Sequence, residues 1–226
     1  MKLDLTVAPM LVITGTWNVP IFSPPWLANH LFGYEIGSEA PLVQLTMVGA
    51  EVARTIAYMR NLGFHVEPNR IDLFANKIDE AYLTRLEALA ARLLTVLPHT
   101  PIGSLGVNFR FIEEQAGNDL VHKLDTAEDF AGHYQVLSLQ AKTRVAVDDL
   151  FACQVTRDLT ETGDLIFDFN YHSDKFGERV DRVERIAGIL KARLDHAKEL
   201  LHAIYGLDEI ELVAHDFADQ MGPNWE

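Results

Sequence analysis

Two hydrophobic rhythms alternate along the chain, one of two residues and one of three to four, and their order sets the expected architecture. Residues 10–17, "MLVITGTW", read as a strand. In "NVPIFSPPWLANHLFG", Ser23 stands as an N-cap, prolines occupy a first turn that tolerates them, and Gly33 is a stop. A short helix over 24–32 is predicted. The β-rich run "PLVQLTMVGAEVARTIAYMRNLGFHVEPNRIDLFA" is punctuated at Gly49-Ala50, Asn61 to Gly63 and Pro68-Asn69, which predicts an antiparallel meander of three or four strands. In "NKIDEAYLTRLEALAARLLTVLP" the step lengthens: Ile78, Tyr82, Leu86, Leu89, Leu93 and Leu97 trace one helical stripe. Asn76 is placed as its cap, with Asp79 three residues on, and Pro98 ends the helix.

The same order then recurs. "GSLGVNFRFIEE" is a strand with Leu105, Val107, Phe109 and Phe111 turned inward, and "GNDLVHKLDTAEDFAG" holds one or two helical turns. "HYQVLSLQAKTRVAVDDLFACQVTRDLTETGDLIFDFNYH" supplies three strands, with a hairpin turn around Glu161 to Asp164. "GERVDRVERIAGILKARLDHAKELLHAIYG" is read as one long helix with a stripe of Val180, Val183, Ala187, Leu190, Leu194, Ala197, Leu201 and Ile204, capped by Gly206. Its alternating charges form a solvated face with local ion pairs. The expected fold class is α+β, with two pseudo-repeated halves, 1–98 and 99–226, in one unit. Each half runs strand, helix, meander, long helix, without sequence identity between them. Curved antiparallel sheet, as one sheet or two, would be backed by the long helices, an arrangement that resembles the TATA-binding-protein-like and helix-grip folds.

Composition narrows the partners. The 226 residues are 48 % hydrophobic and 23 % charged, the balance of a folded chain able to bury a core. The net charge of −14 opposes a duplex nucleic acid backbone and an anionic membrane surface, and makes a basic protein or a cationic ligand the easier electrostatic partner. The lone Cys153 lies in the apolar "DDLFACQV" and reads as a small core residue. "MKLDLTVAPMLVITGTW" has an early Asp4 and Pro9 and lacks the pattern of a secretory signal. With no apolar run near the roughly eighteen residues of a membrane span, a cytoplasmic location is expected.

Candidate chemistry concentrates in "DLIFDFNYHSD". Leu165, Phe167, Phe169 and Tyr171 fall on one side of a strand, and Asp168, Asn170 and His172 on the other, with Asp174 just beyond. Alternate positions lie about 6–7 Å apart, so Asp168 and His172 could ligate a metal only if a neighbouring strand added donors. A solvated sheet face carries the same residues. Asn108 and Arg110 share the polar alternation of "GVNFRF"; if the two strands are neighbours, Arg110 pairs with Asp168. The candidate catalytic set is therefore His172, Asp168 and Arg110, and the candidate ligand-binding set is Asn108, Arg110, Asn170 and Trp26. His196 and His202, six apart on the final helix, face different ways, and His30, His122 and His133 have no paired spacing. No phosphate-binding glycine loop, nucleophile elbow or RNA-binding aromatic pattern occurs, and no cofactor is predicted. Trp26, Phe32 and Tyr34 beside prolines read as packing of the short helix or as a groove lining, and Trp225 as part of a loose end or a docked interface residue.

Three stretches resemble a sporadically distributed bacterial protein family of similar size: the strand "GSLGVNFRFIEE", the strand "DLIFDFN" with Asp168, and the helix "RLDHAKELLHAIYG" with His196 and Tyr205. In "VNFRF" the Asn and Arg are shifted relative to the family strand. The resemblance implies a bacterial or phage origin and no particular activity. The residues thus support three functions: a non-enzymatic binding or accessory protein using its sheet face or acidic surface on a protein partner, a small-molecule binder with a pocket between sheet and long helix, and a hydrolase-like enzyme using Asp168, His172 and Arg110. A homo-oligomer is compatible with each.

Overall fold

The computed structural model describes residues 1–4, 10–34, 44–47, 55–59, 62–75, 79–123, 139–178, 180–207 and 210–213. Among them, eleven strands form one sheet: β1 (Lys2–Asp4), β2 (Leu11–Gly15), β3 (Gln44–Met47), β4 (Thr55–Met59), β5 (Leu62–Glu67), β6 (Arg70–Ala75), β7 (Ile102–Glu113), β8 (Leu139–Ala146), β9 (Ala152–Leu159), β10 (Leu165–Ser173) and β11 (Glu211–Val213). The order is β3-β4-β5-β6-β2-β7-β10-β9-β8, and every neighbouring pair on that path is antiparallel. The sheet is continuous across residue 98, because β2 and β7 pair directly. β7 is longer than β2, and its free end is taken by β1, to which β11 adds in parallel. Three-residue strands carry no readable period, so neither β1 nor β11 was foreseeable from the pattern. At the β2–β7 junction the register shifts between Ile13 and Gly15. There the Thr14 hydroxyl accepts the Ser104 amide and bonds the Ser104 hydroxyl, each at 2.8 Å, so the irregularity is satisfied locally.

A short helix α1 (Pro24–Trp26) runs into a π turn over Leu27–Leu31. The longer helices are α2 (Glu80–Val96) and α4 (Ile189–Tyr205), with a short α3 (Asn118–His122) between them. Ser23 holds the predicted N-cap position of α1, though its side chain makes no capping bond. The open carbonyls at the end of the π turn are instead met by Arg92 of α2, whose guanidinium donates to His30 O and, at 3.4 Å, to Asn29 O.

α2 packs on β6, α4 on β7, and the two helices touch, so one sheet face is covered. The inward sets are the predicted ones: Leu105, Val107, Phe109 and Phe111 of β7, and Leu165, Phe167, Phe169 and Tyr171 of β10, are all buried. Cys153 is buried with them. From α2, Leu83, Leu86, Leu89, Ala90, Leu93 and Leu94 enter the core.

Both helix starts differ from the sequence reading. Asp79 caps α2, its carboxylate accepting the Tyr82 amide at 2.8 Å. The Asn76 and Ile78 assignments lie outside the described residues, as do the turn at Gly49-Ala50, Asn61, His133 and Trp225. The final helix begins at Ile189 rather than near residue 180. Gly188 takes φ +77°, a left-handed conformation that breaks a right-handed helix, and residues 180–187 form turns and a 3-10 segment (Glu184–Ile186). Val180 is fully exposed and Ile204 is 54 % exposed. Tyr205 completes the buried stripe of Leu190, Leu194, Ala197 and Leu201, since four residues from Leu201 return to within about 40° of its direction and three fall about 60° short. Gly206, at φ +71°, caps the end with its amide on His202 O at 2.8 Å. Among the described residues no helix is long and apolar enough to cross a membrane.

Candidate functional site

The polar face of the sheet lies opposite the two long helices, and pleating presents it in rows across the strands. One row runs Lys142, Thr156, Asp168, Arg110, Asp4, from β8 through β9, β10 and β7 to β1. The next runs Arg144, Gln154, Asn170, Asn108. The register therefore brings Asn108, Arg110, Asp168 and Asn170 together on two adjacent strands, as the shared polar alternation suggested.

Arg110 and Asp168 form a two-pronged ion pair, Nε to Oδ1 at 2.6 Å and Nη2 to Oδ2 at 2.8 Å. Both carboxylate oxygens are thereby engaged, and these bonds hold the guanidinium proton more firmly than usual. In the next row, Asn170 Nδ2 donates to Asn108 Oδ1 at 2.7 Å, and Gln154 and Asn170 are exposed. The row thus presents the neutral amides of Gln154 and Asn170 to solvent, with the exposed Arg144 at its outer end on β8.

His172 stands one row further, opposite Gly106, and bonds Asp174 at 2.6 Å in the turn after β10. Its side chain is 38 % exposed and that of Asp174 72 %. The row between Asp168 and His172 is filled by Asn170. Among the described residues no group of three or more His, Cys, Asp or Glu side chains is placed to hold a metal. His172→Ala is expected to change stability by less than about 0.5 kcal/mol in urea denaturation, as for other solvated surface positions.

Trp26 is half-buried and packs edge-on against Phe22 at 5.2 Å and tilted against His30 at 5.3 Å, so it belongs to the short-helix packing and stands apart from the amide row. A cleft of about 350 Å³ opens nearby between the segment after β2 and the end of α2, lined in part by Asn18, Phe22, Leu97 and His99. Between sheet and α4 the space is filled with rings: Phe167 meets Tyr205 at 4.8 Å, and Phe111 meets Phe169 edge-on at 5.6 Å.

Beneath α4 the structure gathers residues that the spacing of histidines did not connect. Tyr171 OH hydrogen-bonds His196 Nδ1 at 2.9 Å, Cys153 lies directly across from Tyr171 on β9, and the Arg193 guanidinium sits 5.7 Å from the Tyr171 ring centre. Burial pushes the Cys153 thiol up to about 11, which keeps it protonated and unreactive at neutral pH. Burial likewise raises Tyr171. For His196, burial first and then the Arg193 charge lower the affinity for a proton below the ordinary value of 6.5, against smaller opposing effects of Glu199 and Asp148. The unfolded chain therefore takes up that proton first. The contribution of His196 to stability is intact above pH 6.5 and is lost as the pH falls from 6.5 through the lowered folded value. Replacing His196 by Gln is expected to flatten this part of the stability–pH curve, measured by urea midpoints from neutral to acid pH. An unchanged slope would remove His196 as its source. The sequence put Tyr171 and Cys153 in the core, but the contact of Tyr171 with His196 spans 25 residues and depends on the helix docking.

Fold and site together define an α+β protein with one largely antiparallel sheet, one face covered by helices and the other polar. No family model matches the chain, and neither a curated protein nor a solved structure does.

Proposed function

We propose that the protein is a non-enzymatic binding or accessory module of the cytoplasm that engages a protein partner through the polar face of its sheet. The observation that carries this reading is the row Gln154, Asn170, Asn108 beside the closed Arg110–Asp168 pair. Neutral amides offer donors and acceptors without a large desolvation cost, and an ion pair already satisfied within the chain needs no counter-charge from the partner. Of the candidate catalytic groups, Asp168 has both oxygens on Arg110, while His172 lies apart from that pair and bonds Asp174. The strand order supports a pseudo-repeat in which β2 with β3–β6 corresponds to β7 with β8–β10, with β2 and β7 meeting at the centre. A saddle of the TATA-binding-protein-like kind would leave this face open to a partner.

The test is site-specific photo-crosslinking in the native cells, with a benzophenone residue replacing Gln154 or Asn170 and a control at Ala192 on the exposed side of α4. One discrete protein adduct from both face positions and none from Ala192 is the expected result. Adducts from Ala192 alone, or from no position, would overturn the assignment.

A further inference from the structure

We propose that β8 is a docking edge for an extended acidic segment of the protein partner, which adds to the sheet as a further strand. This rests on the reading of the protein as a binding module and names the partner's chemistry. β8 ends the strand order, pairing only with β9 among the described residues, so alternate N–H and C=O groups along its eight residues point away from the sheet. Residues 142–146 are exposed.

Charge selects the occupant. Lys142 and Arg144 stand two residues apart on the polar face, both exposed, and neither makes an ion pair among the described residues. Carboxylates at alternate positions of an incoming strand match that spacing. A second copy of this chain does not: in the two longest overlaps that align the polar faces, antiparallel β8–β8 pairing sets Lys142 against itself or against Arg144, and like charges directly opposite are destabilising. The chain's net −14 pointed towards a basic partner, but this edge carries the opposite sign locally, and charges beyond about 8 Å are largely screened at physiological salt.

The edge is also held ready. Arg157 of β9 donates to Thr143 Oγ1 at 2.7 Å and to Tyr205 OH at 3.3 Å, tying β8 to α4 from the helix side. In the β8–β9 turn, Asp148 accepts the Leu150 and Phe151 amides at 2.8 and 2.7 Å and pairs with Arg193 of α4. An edge fixed in this way loses little conformational freedom when a strand is added.

The experiment is fluorescence anisotropy with the whole protein and a labelled eight-residue peptide alternating Glu with Thr and Val, together with its backbone N-methylated analogue, and amide hydrogen exchange over 139–146. The expected results are saturable binding of the first peptide, loss of binding on N-methylation, and slowed exchange of β8 amides. The double variant Lys142→Glu, Arg144→Glu should bind about tenfold more weakly while keeping its thermal transition. No binding by the wild type, or binding indifferent to both N-methylation and charge reversal, would overturn the proposal and leave Lys142 and Arg144 as protection of an open edge. A dimer in sedimentation whose interface protects 139–146 would also overturn it. Crosslinks at Asn170 that persist while the peptide fails would remove the edge alone, since the sheet-face reading stands on separate residues.

Discussion

Leu190→Ala is expected to lower the unfolding free energy by about 2 to 5 kcal/mol, the range for truncating a buried leucine where the surroundings close only partly over the gap. Leu190 is wholly buried in the first turn of α4, within the core that includes Leu86, Leu93 and Ile186. The long strands and two helices around it leave little freedom for the site to collapse. The companion variant Val180→Ala removes a side chain the structure leaves fully exposed, and is expected to shift stability by less than about 0.5 kcal/mol. The pair tests the placement of the helix start, because one continuous helix would put both residues on the buried stripe. Urea denaturation with an unchanged m-value is the measurement. A costly Val180→Ala, or a silent Leu190→Ala, would mean that the helix is wrongly placed.

Glu87→Ala is expected to cost about 3 kcal/mol through a different mechanism. Glu87 is only 6 % exposed, an unusual position for a carboxylate in the middle of a helix. Its two oxygens accept the Gly188 and Leu190 amides, each at 2.7 Å. A side chain of α2 thus caps the start of α4, where open backbone donors and the helix dipole favour a negative group. Hydrogen bonds to a charged group contribute about 1.5–3 kcal/mol each, and alanine would leave two donors without their acceptor beside the core. Glu87→Gln keeps one acceptor oxygen and should lose roughly half as much. Chemical denaturation of both variants decides the matter. A Glu87→Ala cost below about 1 kcal/mol would show that the contact joins the helices without supporting them.

How much of this could be read beforehand differs by element. The inward faces of β7 and β10 were legible because a strand flanked by a core needs an apolar residue at every second position, and Leu105 to Phe111 and Leu165 to Tyr171 supply it. The Arg110–Asp168 pair was legible on the condition that the two strands were neighbours, because alternation had already put both residues on the same kind of face. The capping role of Glu87 was not legible. In "RLEALAARLL" it reads as a polar residue between two stripe positions, and its partners lie 101 and 103 residues further on. The start of α4 was misread for a related reason: Val180, Val183 and Ala187 continue a helical period, and period alone does not reveal that Gly188 adopts a left-handed conformation.

By itself, then, the sequence determined the α+β class, the order of the main strands and helices, and which sides of β7 and β10 are apolar. These follow from local spacing and from the requirement that apolar surface leave water. Only the tertiary structure decided that β2 and β7 join the halves into one sheet, that Asn170 bonds Asn108, that His196 meets Tyr171, and that β8 ends the strand order among the described residues. The physical reason is that these contacts join residues far apart in the chain, and such pairings are set by how the strands register and the helices dock. Local spacing leaves both undetermined.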